Sequence, residues 1–159
     1  MSLTARRTHI LVVAMAALIA GLVLAAAVAF RASDSDKEAA RAAGTSLANR
    51  VAALAEGDKV DFAQAVGQPW ERAVLMEAYM QGDEMNLLIG FHWYSEDDLS
   101  GSDETQRTLV FLAQKEVVAE VLLSPQTFRL DGSIVGFPWA DATFIASRDS
   151  SGLVTLRHP

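Results

Sequence analysis

The chain has no cysteine and only three histidines among its 159 residues. Without cysteine it forms neither a disulfide scaffold nor a thiolate metal site. Basic residues are also few, 13 against 20 acidic ones, so the formal net charge is −7. Phosphate binding requires clustered positive charge, and this composition therefore argues against a protein that binds nucleic acid.

Charged residues are also missing from one long apolar segment, residues 10–30. About 20 apolar residues, at about 1.5 Å each, span the hydrocarbon core of a bilayer as a helix. Arg6 and Arg7 precede the segment, and acidic residues follow it. The positive-inside rule then places residues 31–159 outside the cytoplasm. The sequence therefore predicts a single-pass protein of the cell membrane with a signal-anchor and a cytoplasmic N-terminus.

A cleaved signal peptide is the alternative for the same segment. Residues 1–9 would form its basic region, and Ala25-Ala26-Ala27 would supply a cleavage site of small residues. The apolar run is longer than the 7 to 15 residues usual in such peptides, which favours retention. In both cases the C-terminal part is predicted to be extracytoplasmic, as a membrane protein or as a secreted one.

The location of the C-terminus can be tested with a reporter. A reporter enzyme that is active only outside the cytoplasm is expected to work when it is fused after Pro159. A fusion active only in the cytoplasm would contradict the predicted location. Mass spectrometry of the mature N-terminus separates an uncleaved segment from a signal peptide.

Residues 31–57 are predicted to form a helical linker, which follows a cytoplasmic N-terminus (1–9) and the transmembrane segment (10–30). Ser33-Asp34-Ser35-Asp36 is typical of a helix start, because its acidic groups meet the positive end of the helix dipole. One stripe of small and apolar residues recurs at helical spacing: Ala40, Gly44, Leu47, Val51 and Leu54. This stripe predicts either packing on the sheet of the domain or a seam between two copies, which would be short for a coiled coil.

Residues 58–159 are predicted to form an extracytoplasmic α+β domain. Residues 70–79 indicate one strand. Residues 108–113 and 116–123 indicate two strands of a tight hairpin, and residues 142–148 and 153–157 indicate another. A short helix is expected from Gly82, with Gly90 as its C-terminal cap. Strands joined by tight turns favour an antiparallel sheet covered by one or two helices. The predicted fold class is thus α+β, with an N-terminal transmembrane helix and one antiparallel sheet.

Several short aromatic motifs carry a resemblance to a known family. They are Trp70-Glu71-Arg72, Tyr79, Gly90-Phe91-His92-Trp93 and Leu109-Val110-Phe111 followed by a turn and Val117-Val118. This pattern resembles that of small uncharacterised bacterial cell-envelope proteins, in which it reads W-D-R, Y, G-F-x-W and L-V-F. The chain departs from it at Glu71 and Ala78, where the family has aspartate and proline. The resemblance implies an envelope location and supplies no catalytic residues.

Motifs for catalysis are absent from the sequence. There is no G-x-S-x-G, H-E-x-x-H, P-loop or G-x-G-x-x-G pattern. His9 lies at the edge of the predicted membrane segment and His158 is penultimate, where chain ends fray. Imidazole titrates near neutrality, so His92 is the candidate general base. Its aromatic neighbours favour a structural role instead. An enzyme or inhibitor with a cleft near His92 remains the alternative function.

The densest polar feature is the acidic loop, residues 96–104, which holds five carboxylates and no basic residue. It lacks the spacing of an EF-hand, which leaves a weak calcium site or a solvated loop. We expect no cofactor and a non-catalytic module of the cell envelope that binds a protein partner. The candidate partner-binding residues are Asp97, Asp98, Asp103, Glu104 and Trp139, the last because it follows Gly136-Phe137-Pro138 in a predicted loop. Trp70 and Trp93 are expected in the core instead, where a large aromatic side chain buries most area.

Overall fold

The computed structural model describes residues 34–101, 103–132 and 134–159, and residues Asp36–Pro159 form one compact unit. Residues 34–52 are helical and are named α1. The other helices are α2 (Phe62–Ala65) and α3 (Gly82–Ile89), with a 3-10 turn over Trp139–Asp141. The strands are β1 (Lys59–Asp61), β2 (Arg72–Met76), β3 (Arg107–Ala113), β4 (Glu116–Leu123), β5 (Phe128–Leu130), β6 (Gly136–Pro138), β7 (Thr143–Arg148) and β8 (Val154–Arg157).

Within the described residues the strands form two four-stranded sheets. Sheet A has the order β1-β7-β8-β5, and sheet B has the order β4-β3-β2-β6. Neighbouring strands are antiparallel in both sheets, except that β5 and β8 are parallel. A register shift in β4 between the partners of Phe111 and Leu112 adds one residue there, in the manner of a β-bulge.

The main hydrophobic core lies between the two sheets. Phe62 is fully buried near its centre, with four other phenylalanine rings within 6.4 Å of its own. Trp70 packs edge-on against Phe111 at 5.1 Å between ring centroids, a favourable geometry for aromatic pairs. Facing residues of both sheets contribute alternate side chains to this core, which therefore joins sheet A to sheet B.

A second core covers the other face of sheet B. Met85 and Ile89 of α3 pack there with Trp93, against alternate residues of β2 and β3. Sheet B is thus buried on both faces, which explains why Leu109-Val110-Phe111-Leu112 is a continuous apolar run.

Helix α1 passes across the outer edge of sheet B. Its Ala40 belongs to the second core, whereas Leu47 and Val51 belong to the main core. At Gly44, between them, a Cβ atom would lie only 1.8 Å from the carbonyl oxygen of Glu120 in the edge strand β4. The apolar stripe of α1 therefore packs on its own domain, and α1 covers a strand edge that could otherwise pair with another chain.

The C-terminal end of α1 is held by sheet A. The guanidinium of Arg148, in β7, donates hydrogen bonds to the carbonyl oxygens of Ala52 at 2.7 Å and of Leu54 at 2.6 and 2.8 Å. Ala52 is the last residue of α1, where no intrahelical donor remains for its carbonyl, and Leu54 follows two residues later. A cation is also favoured at this end by the helix dipole.

The fold class expected from the sequence is wrong in two respects. The domain has two packed sheets with one parallel strand pair, whereas one antiparallel sheet was expected. In the part of the chain that the structure describes, no helix has both the length and the apolar character needed to cross a membrane. The transmembrane or signal-anchor helix is therefore not supported, and the segment proposed for it, residues 10–30, lies outside the described residues.

Several local expectations are confirmed. Helix α3 begins at Gly82 with a capping box, in which the Gln81 and Glu84 side chains bond each other's backbone, and Gly90 ends it in the left-handed conformation. The hairpin of β3 and β4 and the hairpin of β7 and β8 are both present. Three short strands, β1, β5 and β6, were not predicted.

Candidate functional site

His92 lies on the surface beside α3. Its Nδ1 is 3.2 Å from the side-chain nitrogen of Asn86, and this geometry makes Nδ1 the acceptor when the ring is neutral. Asn86 also accepts hydrogen bonds from the backbone N–H groups of Trp93 and Tyr94, at 2.7 and 2.8 Å. The ring of His92 is exposed. Asn86 thus fixes the segment after α3, and His92 is one of its contacts.

Two of the acidic candidates have structural partners. Asp98 accepts hydrogen bonds from the Lys37 ammonium at 3.0 Å and from the Ser95 N–H at 2.8 Å. Burial acts to raise the pKa of Asp98, but these two bonds outweigh it and hold the pKa below its usual value. Asp103 accepts from the backbone N–H and the hydroxyl of Thr105, which likewise lower its pKa. Both carboxylates fix the conformation of the acidic loop.

The other candidates are exposed but lie apart from one another. Asp97 is exposed at the start of the acidic loop. Glu104 and Arg129 both border a cavity of about 290 Å³. Trp139 is 52% exposed and follows β6, which forms the opposite edge of sheet B from β4. The structure therefore does not unite the five candidates in one site. Among the described residues there is also no group of three histidine and acidic side chains placed to hold a metal ion.

A groove with a volume of about 590 Å³ lies between α1 and β4. Leu99 and Leu122 are both about half exposed and border it, 54% and 48% respectively. Its polar lining comes from Arg41, Thr45 and Asn49 of α1, from Ser100 and Gln106, and from Glu120, Ser124 and Thr127. Because Leu99, Ser100 and Gly101 belong to the acidic loop, that loop forms one wall of the groove.

The groove exists because the helices leave part of sheet B uncovered. Residues 120 and 122 of β4 face the same side of the sheet, since side chains alternate along a strand. Their partners in β3 are Val110 and Thr108. Val110 is covered by the second core, whereas Thr108 and Leu122 line the open groove. The apolar floor of the groove is thus an extension of a sheet face that is buried elsewhere.

Glu120 stands where the covered and the open parts of this face meet. Its side chain is only 15% exposed, and the Nε of Arg41 lies 3.8 Å from its Oε1. The Tyr94 hydroxyl donates to its Oε2 at 3.5 Å. Burial raises the pKa of the Glu120 carboxyl, against the opposing effect of Arg41. Burial also raises the pKa of the Tyr94 hydroxyl, and the nearby Glu120 adds to this.

The sequence carried one signal for this site. Glu120 interrupts the apolar run Val117-Val118-Ala119-Glu120-Val121-Leu122-Leu123 of β4. An acidic residue within such a run is rarely fully buried unless it is paired. The partners of Glu120 come from α1 and from the segment after α3, so the sequence alone could not show what surrounds it.

No protein-family description, curated protein or solved structure matches this chain. The resemblance to bacterial cell-envelope proteins therefore stays a prediction. The candidate site rests on the geometry of the groove and of Glu120.

Proposed function

We propose that the domain is a non-catalytic module of the cell envelope that binds a protein partner, and that the groove between α1 and β4 is its binding site. The observation that carries this proposal is the pair of half-exposed leucines, Leu99 and Leu122, in a groove of about 590 Å³. Concave sites lined by apolar side chains and a few polar groups are typical of ligand and peptide binding.

The charge of the domain indicates what kind of partner fits. Residues 31–159 hold 11 of the 13 basic residues and all 20 acidic ones, which gives a net charge of −9. Such a surface repels anionic polymers and attracts basic protein surfaces. Glu96 and Asp97 are exposed in the loop that forms one wall of the groove. A basic partner with apolar contact residues therefore matches both features.

The site of contact can be tested by photo-crosslinking in the native cell. A photo-reactive amino acid in place of Leu122 is expected to give a discrete crosslinked protein. The same substitution at Leu87, which is 85% exposed on α3 and does not line the groove, serves as the control. Equal crosslinking from both positions, or none from Leu122, would contradict the proposed site.

Charge reversal at its exposed carboxylates tests the role of the acidic loop. Asp98 and Asp103, which hold the conformation of the loop, are left unchanged. Changing Glu96, Asp97 and Glu104 to lysine is expected to weaken the Leu122 crosslink, because these carboxylates are exposed and steer a basic partner. The loss should be larger at about 0.05 M salt than at about 0.5 M, since salt screens exposed charges. His92→Ala is expected to leave the crosslink unchanged. The reverse pattern would favour the alternative, a site for chemistry near His92.

A further inference from the structure

Glu120 is a largely buried acidic group whose polar contacts are long. A charge-assisted hydrogen bond to a carboxylate is usually about 2.7–2.9 Å long when the donor is a cationic nitrogen. The Tyr94 hydroxyl and the Arg41 Nε lie farther from the Glu120 carboxylate, at 3.5 and 3.8 Å. The guanidinium of Arg41 remains 57% exposed, and Glu120 only 15%. The carboxylate is thus largely removed from water, while its ion pair with Arg41 is longer than a charge-assisted hydrogen bond.

A largely buried carboxylate of this kind gains most from a cation that arrives with its own apolar surroundings. An ion pair is strengthened when water is excluded from it, and the leucines of the groove would exclude water when covered. Lysine and arginine carry apolar stems that pack on such surfaces. The charge of the domain favours a positive partner as well.

We propose that Glu120 determines the specificity of the groove by receiving one lysine or arginine side chain of the partner, whose neighbouring apolar residues lie on Leu99 and Leu122. This inference rests on the proposed function and names the chemistry of its partner, a short apolar segment with a single basic residue. Glu120 pairs with the cation, and the leucines supply the contact area.

Protonation of Glu120 should couple binding to pH. The titratable and charged groups that face it are Arg41 and Lys37 of α1, with Tyr94 and Asp98 from the segment after α3. Burial raises the pKa of Glu120 above its ordinary value of 4.5. A neutral Glu120 cannot pair with a cation, so binding of a basic segment should strengthen as pH rises through this raised pKa.

Two sets of dye-labelled peptides test the inference on the full-length chain. One set consists of short leucine- and valine-containing peptides with one lysine or arginine, and the other set has glutamine in its place. We expect the basic set to bind more tightly than the glutamine set. Glu120→Gln should weaken the basic set by at least about tenfold and change the glutamine set by less than about twofold. Glu116→Gln is the matched control, since it lies in the same strand, exposed and away from the groove.

The outcomes separate this inference from the proposed function. If both sets bind equally, are unaffected by Glu120→Gln and are weakened by Leu122→Ser, the groove binds peptides but Glu120 does not select a cation. If neither set binds, the groove as a peptide site fails together with this inference. Should Glu120→Gln not fold, the wild-type chain is measured at about 0.5 M salt, which screens the exposed carboxylates of the acidic loop more than the buried Glu120. The basic set should then bind more tightly at about pH 8 than at about pH 4, and the glutamine set equally. Equal pH dependence of both sets would overturn the inference.

Discussion

Phe111→Ala is expected to lower the melting temperature of the chain by on the order of 10 °C, the largest effect predicted for one side chain. Phe111 is fully buried between the two sheets. Its ring makes edge contacts with Phe62, Trp70 and Phe137 at centroid distances of 5.6, 5.1 and 6.2 Å. Removing a buried phenylalanine leaves a cavity that costs about 3–5 kcal/mol, and each kcal/mol lowers the melting temperature of a domain this size by several degrees.

The control for this measurement is Leu87→Ala on the outer face of α3. Leu87 is 85% exposed, so its truncation should change the free energy of unfolding by less than about 0.5 kcal/mol. Both variants can be compared by thermal melts followed by circular dichroism. A melting curve of Phe111→Ala that matches the wild type would show that the Phe111 side chain is not buried between the two sheets.

Gly44→Ala is expected to destabilise the domain, although helix propensity alone predicts the opposite. Alanine is favoured over glycine inside a helix by about 1 kcal/mol. A Cβ at this position, however, would lie 1.8 Å from the carbonyl oxygen of Glu120 and 2.4 Å from its carbonyl carbon. Both are backbone atoms, so rotation of a side chain cannot relieve the clash, and α1 must move away from β4. Overpacking costs about 1–3 kcal/mol, and a clash between backbone atoms belongs at the upper end of that range, so we expect a net loss of about 1–2 kcal/mol after the gain in propensity.

Ser46→Ala is the matched substitution for Gly44→Ala. Ser46 lies in the same helix but is exposed, so only propensity should act there and the change should be neutral or slightly stabilising. Denaturant unfolding of both variants gives the two free energies. A Gly44→Ala variant more stable than the wild type would show that α1 does not cross the β4 edge as described.

The site could be predicted from the sequence only in part. The acidic loop was recognised by its composition, and it does form one wall of the groove. Its members cannot be ranked from composition, because Asp98 and Asp103 are occupied by Lys37 and Thr105 while Asp97 is exposed. The distinction depends on which donor lies within hydrogen-bond distance, and Lys37 lies 61 residues from Asp98 in the chain.

For the aromatic residues, too, the sequence predicted burial or exposure but not the position in the fold. Trp70 and Trp93 were expected in the core, and they are 4% and 9% exposed. Trp139 was singled out for its place after Gly136-Phe137-Pro138, and it is 52% exposed, yet it follows the edge of sheet B opposite the groove. The local sequence was thus enough to predict which tryptophans are buried and which is exposed. It could not predict that Trp139 lies away from the groove.

The sequence by itself determined the elements whose signals lie within a few residues: α3 with its start at Gly82 and its cap at Gly90, and the two hairpins with their turns. Only the tertiary structure decided what lies far apart in the chain. The three-residue strands β1, β5 and β6 are too short to show periodicity and exist through pairing with distant strands. The path of α1 across β4 is another such feature. Together with α3 it determines which part of sheet B stays uncovered, and so where the groove beside Glu120 lies. Local propensity contains no information on that choice, because it is made by the packing of both cores together.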